Sequence, residues 1–369
     1  MLLRLSCCLL MTVLSVSVNA QSPEDTLKYG NGADSSLMDT ALEETLPPWA
    51  DAVAAVDTTN TGAAGPSASF TVYLGTGVYQ NNPMSDFGVN NPTGPSVDFS
   101  RLYRTCMAAK GLCSQGFSAG WTHSYDDTII ALPNDAQGKL ILVWYNGAKE
   151  ELIPQVKDGK LTGELANAKK PPYFVMGKFG SAAGQWQSLT MTFADDEKWV
   201  FTPDSHNAGL YRLRQISDIV GKPISLCYDS YGRLEKITQS DGKPLLSIAY
   251  SSSGYVSDIF SYDNLGKISG QRKYVFGQVE GQTCLTAVSQ ENNTKALHWS
   301  YGYTLCNGKP FLISVSVPNP KGTGLSTAKV VYDPLGRTQA IIDANTNKHS
   351  YTYGSGETKV TVTGPGSGG

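Results

Sequence analysis

Gly221-Lys222-Pro223-Ile224-Ser225-Leu226-Cys227-Tyr228-Asp229-Ser230-Tyr231-Gly232-Arg233-Leu234 is the stretch on which the fold turns. After the proline, Ile224, Leu226 and Tyr228 alternate with Ser225 and Cys227, the pattern of a strand with one buried face. Asp229 to Gly232 reads as a tight turn. A type I turn favours Asp at its first position, because the carboxylate accepts nearby backbone N–H groups, and Gly at its fourth.

The unit returns further on. Tyr332 precedes Asp333-Pro334-Leu335-Gly336-Arg337, and Tyr262 precedes Asp263-Asn264-Leu265-Gly266-Lys267-Ile268, whereas Tyr250-Ser251-Ser252-Ser253-Gly254 keeps only the Tyr and the Gly. The strand entrances repeat as well: Gly242-Lys243-Pro244 leads into Leu246, Ile248 and Tyr250, and Gly308-Lys309-Pro310 into Phe311, Ile313, Val315 and Val317. Each proline stands where a strand begins, a position at which a ladder tolerates a missing N–H. Tyr228 and Tyr250 are 22 residues apart, a period typical of stacked supersecondary units. Four hairpins are implied, and with them an all-β fold of repeated antiparallel hairpins laid into a continuous, curling sheet.

Tyr-Asp-x-x-Gly-Arg followed by an apolar residue resembles the YD repeat of the Rhs family. Ser100-Arg101-Leu102-Tyr103-Arg104, followed by Gly116-Phe117-Ser118-Ala119-Gly120-Trp121-Thr122-His123-Ser124-Tyr125, is similar to the segment that precedes the repeats in such proteins. Tyr211-Arg212-Leu213 with Ile216-Ser217-Asp218-Ile219-Val220-Gly221 is similar to their entry into the first repeat. The resemblance implies the start of a β-cage, a sheet that spirals into a hollow shell and in full-length members encloses a C-terminal toxin. It makes Tyr228, Asp229, Gly232, Arg233, Tyr262, Asp263, Gly266, Lys267, Tyr332, Asp333, Gly336 and Arg337 a structural turn motif. No stretch matches the Asp-Pro-x-Gly-Leu type motif that ends the shell core in that family, so a shortened member or a fragment is expected.

The first 20 residues carry Arg4, an apolar run from Leu5 to Val16 and then Val18-Asn19-Ala20, the layout of a secretory signal peptide too short to span a bilayer. Cleavage after Ala20 by a bacterial Sec-type route is expected, which places the chain outside the cell, in the periplasm or on the cell surface. Residues 21–67 are rich in Ser, Thr, Asp, Glu, Ala and Gly and read as a disordered linker, with about two helical turns between Leu37 and Leu46 stopped by Pro47-Pro48. Residues 68–210 read as a β segment ahead of the repeats, beginning with Phe70, Val72 and Leu74; 211–363 form the repeat sheet and 364–369 a flexible tail. Within the β segment, Asn146-Gly147 between Leu140-Ile141-Leu142-Val143-Trp144-Tyr145 and Glu150-Glu151-Leu152-Ile153 predicts a hairpin on a type I′ turn. A second hairpin is expected around Ala194-Asp195-Asp196-Glu197.

Removing the signal leaves Cys106, Cys113, Cys227, Cys284 and Cys306 in a compartment where disulfides persist. The odd count leaves one over. Cys106 with Cys113, and Cys284 with Cys306, are the expected pairs, and Cys227 the expected free thiol; five reduced cysteines packed as small hydrophobes are the alternative.

The charge balance excludes one class of partner. Without Arg4 the chain holds 28 basic and 32 acidic residues, and no Lys/Arg cluster builds a phosphate-tracking stripe, so no nucleic acid is expected. No apolar stretch after the signal reaches membrane-spanning length.

Gly116-Phe117-Ser118-Ala119-Gly120 matches a nucleophile elbow, but the elbow needs a helix after it, and Ile129-Ile130-Ala131-Leu132 continues as strand. His123, His206, His298 and His349 have no metal-ligand spacing. Asp343-Ala344-Asn345-Thr346-Asn347 opens like a calcium loop, yet Lys348 stands where the glycine belongs, so a polar turn is expected. Asp126-Asp127 and Asp195-Asp196 are neighbours, which on a strand sends them to opposite faces. Asn292-Asn293-Thr294 is a glycosylation acceptor only in a eukaryotic secretory path.

No catalytic residue, metal or cofactor is therefore expected. The reading is a secreted or surface scaffold of the Rhs type, whose partners are a toxin domain or the rest of a shell. A cell-surface carbohydrate-binding adhesin, using Trp121 or Trp144, is the alternative. Lys359-Val360-Thr361-Val362-Thr363 offers weak protection against edge-to-edge strand pairing, so self-association of the isolated mature chain is expected.

Overall fold

The computed structural model describes residues 56–58, 70–73, 76–132, 135, 138–158, 160–167, 173–179, 186–219, 221–292, 295–318, 325–354 and 358–364. The expected signal segment, the helical turns at 37–46, Leu74, Asn293 and the tail beyond Gly364 lie outside them. Among the described residues no helix is long and apolar enough to cross a membrane.

Three parts follow one another along the chain, all antiparallel. The first is a five-stranded sheet of β1 (Val56–Thr58), β2 (Phe70–Tyr73), β3 (Val78–Val89), β4 (Val97–Arg104) and β5 (Trp121–His123), in that order. Val56 lies opposite Tyr73, so ordered pairing reaches into the stretch expected to be linker. A six-residue helix, α1 (Thr105–Lys110), follows β4 and ends on Gly111, whose φ of 70° continues no helix.

The second part is a closed barrel of eight strands: β6 (Thr128–Ala131), β7 (Leu140–Val143), β8 (Lys149–Lys157), β9 (Lys160–Asn167), β10 (Tyr173–Phe179), β11 (Trp186–Phe193), β12 (Lys198–Pro203) and β13 (Leu210–Ser217). It closes where Tyr211 of β13 lies opposite Ile129 of β6. A ring of eight is just wide enough for side chains to fill. Leu140, Leu142, Leu152, Leu165, Val175, Leu189, Met191, Phe201 and Leu213 fill it, all buried.

From β13 the same sheet runs on as a third part: β14 (Ile224–Tyr228), β15 (Leu234–Thr238), β16 (Pro244–Tyr250), β17 (Val256–Tyr262), β18 (Ile268–Val279), β19 (Gln282–Asn292), β20 (Lys295–Cys306), β21 (Lys309–Pro318), β22 (Leu325–Tyr332), β23 (Thr338–Ile342), β24 (Lys348–Tyr353) and β25 (Thr358–Thr363). Each strand pairs with the next, so the expected train of hairpins is present, and β25 pairs with β24.

The first sheet covers one face of this extension. Several of its contacts are accepted from backbone N–H groups of the extension: Lys222 donates to the Thr93 carbonyl at 2.8 Å, Val256 to the Gly116 carbonyl at 2.9 Å and Thr338 to the Gly77 carbonyl at 2.8 Å. The Leu285 N–H donates to Ser118 Oγ at 2.9 Å and the Leu312 N–H to the Tyr103 hydroxyl at 3.0 Å. Between these points the core is continuous, with Phe99, Tyr103 and Trp121 of the first sheet packed among Leu226, Ile248, Ile259, Leu285, Val315 and Ile341 of the extension. The resemblance implied a hollow interior. Here the apolar face is large enough to demand cover, and the chain's own first sheet supplies it.

Among the described residues one turn recurs in eight hairpins. In 229–232 the Gly232 N–H donates to the Asp229 carbonyl at 3.0 Å, the Asp229 N–H to the Arg233 carbonyl at 2.9 Å, and Gly232 sits at φ 76°. That is a type I turn closed by a left-handed residue, the three-residue hairpin loop. The Asn146-Gly147 hairpin forms, but with this turn and not type I′, since only Gly147 has positive φ. Type I′ geometry occurs at Glu280-Gly281 and Asn307-Gly308, where both central residues have positive φ.

Candidate functional site

The predicted turn residues come together as a device that ties each hairpin to the strand before it. Asp229 Oδ1 accepts the N–H groups of Tyr231 and Arg233, both at 2.9 Å, and Oδ2 takes Arg233 Nε at 2.8 Å and Nη2 at 2.7 Å. Asp333 repeats this with Leu335 and Arg337. Asp263 keeps the two backbone bonds, to Leu265 and Lys267, and Lys267 lacks the forked geometry to complete the pair. Burial alone would raise Asp229, but the Arg233 hydrogen bond and the backbone donors hold it below the usual carboxylate range.

The tyrosines complete the device from inside the sheet. Tyr228 donates its hydroxyl to the Leu213 carbonyl at 2.8 Å, Tyr250 to Leu234 at 2.7 Å, Tyr303 to Leu285 at 2.6 Å, Tyr332 to Leu312 at 2.7 Å and Tyr353 to Thr338 at 2.5 Å. Arg214, Arg233 and Arg337 lie over Tyr228, Tyr250 and Tyr353, at 4.4, 4.0 and 4.6 Å from the ring centroids. Tyr262 instead meets the Ser247 hydroxyl at 2.9 Å. Asp343 to Asn347 proves to be a further copy. Asp343 accepts the N–H groups of Asn345 and Asn347 and the Asn347 side-chain amide, and Thr346 takes the left-handed place of the glycine at φ 66°.

The expected cysteine pairs do not form. All five cysteines are free thiols. Cys106 packs with Tyr73, Val78 and Met107 in a small separate cluster, while Cys113 packs on the main core, so the two thiols belong to different packing groups. Continuing the β19–β20 register, Ala287 to Ser300, puts Cys284 opposite Tyr303. Cys306 is then three positions further along, about 10 Å at strand rise, beyond the reach of a disulfide. Trp121 is fully buried and donates Nε1–H to the Tyr303 hydroxyl at 2.8 Å, so it presents no face to a sugar. Ser118 is buried with its Oγ engaged by Leu285, and a turn and then β5 follow it where an elbow needs a helix. Among the described residues no cluster of His, Cys, Asp and Glu is arranged to hold a metal.

Asp126 and Asp127 are not on a strand. They lie in the bend between β5 and β6, and burial raises both carboxyls, Asp126 to about 6 and Asp127 to about 8. Asp126 accepts the Ser114 hydroxyl at 2.8 Å; Asp127 accepts the Tyr145 N–H at 2.8 Å with one oxygen and has no partner for the other. Beside them His123 is pushed down to about 3 by burial and by Arg212. A second buried group joins the parts: Asp86 of β3 pairs with Arg101 of β4 and accepts the Tyr274 hydroxyl from β18, while Arg101 donates to the Tyr301 hydroxyl at 2.7 Å. Burial would lower Arg101, and the Asp86 charge overcomes it and holds it fully protonated.

The most chemically distinctive surface is one mouth of the barrel. Trp144, Glu150, Asn167, Tyr173, Phe193 and Trp199 continue, in phase, the inward positions occupied by Leu142, Leu152, Leu165, Val175, Met191 and Phe201. Being at the strand ends they are half-buried. Four rings form a closed cycle: Trp144 to Tyr173 at 5.9 Å between centroids, Tyr173 to Phe193 at 5.6 Å, Phe193 to Trp199 at 5.1 Å and Trp199 to Trp144 at 6.1 Å. Glu150 sits among them, accepting Trp144 Nε1–H at 2.8 Å, Asn167 Nδ2–H at 2.6 Å and the Tyr173 hydroxyl at 2.5 Å. Glu197 accepts Trp199 Nε1–H at 2.6 Å. Trp144 was singled out in the sequence; the other ring-bearing positions show there only as alternation that runs on in aromatic residues past the aliphatic core.

No protein-family profile matches the sequence, and no curated protein matches it. Among solved structures the chain is similar to a porin-like protein from Bacteroides uniformis, at 8% identity and TM-score 0.24 over 65% of this chain and 96% of that one. It is similar to TcdB2-TccC3, at 8% identity and TM-score 0.26 over 91% of this chain and 21% of that one. It is also similar to TcdB2-TccC3-Cdc42, at 13% identity and TM-score 0.22 over 80% and 20%.

Proposed function

We propose that this chain is an exported or cell-surface structural scaffold, part of an Rhs-type shell, that performs no reaction of its own. The observation that carries the reading is the stitching of the first sheet to the extension. Residues that a catalytic or sugar-binding protein would leave accessible, Ser118, Tyr103 and Trp121, spend their polar atoms on backbone groups and on Tyr303 across the core. The Tyr-Asp turns act in the same sense, since each Tyr and Arg adds a contact between neighbouring strands and none points a reactive group at solvent. Its partners are the remainder of a shell or a toxin domain held by one.

Co-expression tests this. The mature chain, from residue 21, is expressed with a second polypeptide of further Tyr-Asp hairpins, and size-exclusion chromatography with light scattering is expected to find the two in one protease-resistant particle. Separate elution, together with a glycan retained on an array by the mature chain alone, would favour the carbohydrate-binding alternative.

A further inference from the structure

The shell reading leaves the barrel mouth unused, and the geometry there points to a binding site for a small organic cation of the quaternary ammonium class. With neighbouring centroids 5.1 to 6.1 Å apart, the four rings close around a common centre. A cation seated over that centre lies within the roughly 6 Å at which ring quadrupoles attract it.

Among the described residues, charge favours the same ligand. Glu150 of β8, at an inward position, and Glu197, in the turn before β12, bring carboxylates to the mouth, each accepting an indole N–H. Lys149 and Lys198 adjoin them in sequence but fall out of phase and are exposed. Half-burial keeps the rings from full solvation, where cation–π attraction is larger than at an open surface. A sugar is less well served, because it stacks on one flat platform, and these rings stand to each other as the walls of a cage. All four contacts in the cycle are tilted or edge-on, at 55 to 72°. The mouth of a barrel is also a recurrent place for a small-ligand site.

Titration of the mature full chain with choline tests the assignment, read by indole N–H shifts of Trp144 and Trp199 in NMR and by tryptophan fluorescence. The expected result is a saturable change confined to those two indoles, with its uncharged isostere 3,3-dimethylbutan-1-ol binding about tenfold more weakly or worse. Glu150→Gln and Trp199→Leu are each expected to weaken choline by several-fold to about thirtyfold, with Trp199→Phe recovering part of the loss and circular dichroism unchanged in all three. No saturable shift, equal binding of the uncharged isostere, or binding untouched in the variants that fold would overturn the proposal. A response to glucose or galactose in place of choline would overturn it in favour of a sugar site. None of these outcomes bears on whether the chain assembles into a shell, which the co-expression experiment reads separately.

Discussion

Arg233 lies 4.0 Å over the ring of Tyr250 while its guanidinium grips Asp229 through two nitrogens, so one side chain couples a turn to the far end of the next hairpin. Tyr250 answers by donating its hydroxyl to the carbonyl of Leu234, the residue after that arginine. Arg337 and Tyr353 repeat the arrangement over Thr338. Replacing Arg233 by Lys keeps the charge and loses both the fork and the stacking. Arg233→Lys is expected to destabilise by about 1–2 kcal/mol. Tyr250→Phe, which strands a buried carbonyl, is expected to cost about 1 kcal/mol or more. Coupling measured by a double-mutant cycle in urea should be clearly above zero; simple additivity would show that the two residues act apart.

The turn glycines should not be equal. Gly266 (φ 75°) has nothing within 4 Å of an added Cβ, so Gly266→Ala carries only the left-handed strain, about 1 kcal/mol. Gly336 (φ 80°) would place that Cβ 3.0 Å from the Phe311 ring and 3.2 Å from Cys306 Sγ. Gly336→Ala should therefore cost more, with Gly232→Ala between them, its nearest neighbour being the movable Arg212 Nη2 at 3.3 Å. Thermal melting in the reverse order would mean that strain and packing have been misassigned.

Stability should fall as pH rises through neutrality. Asp126 at about 6 and Asp127 at about 8 lie above the roughly 3.9 of an unfolded chain, so between these values the folded state binds more protons than the unfolded one. Their contribution is intact below about pH 4 and is lost as pH passes first the Asp126 and then the Asp127 value. Asp127→Asn is expected to remove the larger part of that loss and to raise the melting temperature most above pH 8. A melting curve that climbs between pH 6 and 9, or an unchanged slope in the variant, would contradict this account.

Ser118 is expected to matter for folding, not for turnover. Ser118→Ala leaves the buried Leu285 N–H without its acceptor, at a cost of about 1–3 kcal/mol. Denaturation should report that loss, while Ser118→Thr, which keeps the hydroxyl, should recover part of it. Hydrolysis of an ester or peptide panel by the parent chain and not by Ser118→Ala would put the nucleophile reading back in place.

The hairpins were legible because their information is local: Tyr, Asp, Gly and Arg at fixed offsets specify a turn without reference to anything distant. The same locality explains what stayed hidden. Asp343 to Asn347 hid a copy of the turn because Thr346 and Asn347 replace Gly and Arg while making the same bonds. The Asn-Gly pair predicted the wrong turn type although the hairpin itself was right. Closure of the barrel through Tyr211 and Ile129, the pairing of Asp86 with Arg101 and Tyr274, and the cover given by the first sheet all join residues far apart in the chain. No local pattern encodes such contacts. Cysteine count is equally silent on geometry, which is why two plausible disulfides became five separate thiols.

Hydrogen exchange read residue by residue addresses the central claim, that the first sheet is packed onto the extension. The amides of Val256, Leu285, Leu312 and Thr338 donate to Gly116, Ser118, Tyr103 and Gly77, and none is satisfied there by a neighbouring strand of its own sheet. If the first sheet is seated, all four should exchange at the slow rates of core strand amides such as those of β11 and β13. Exchange of the four within seconds, while β11 and β13 stay protected, would mean that the face is open and the first sheet lies elsewhere.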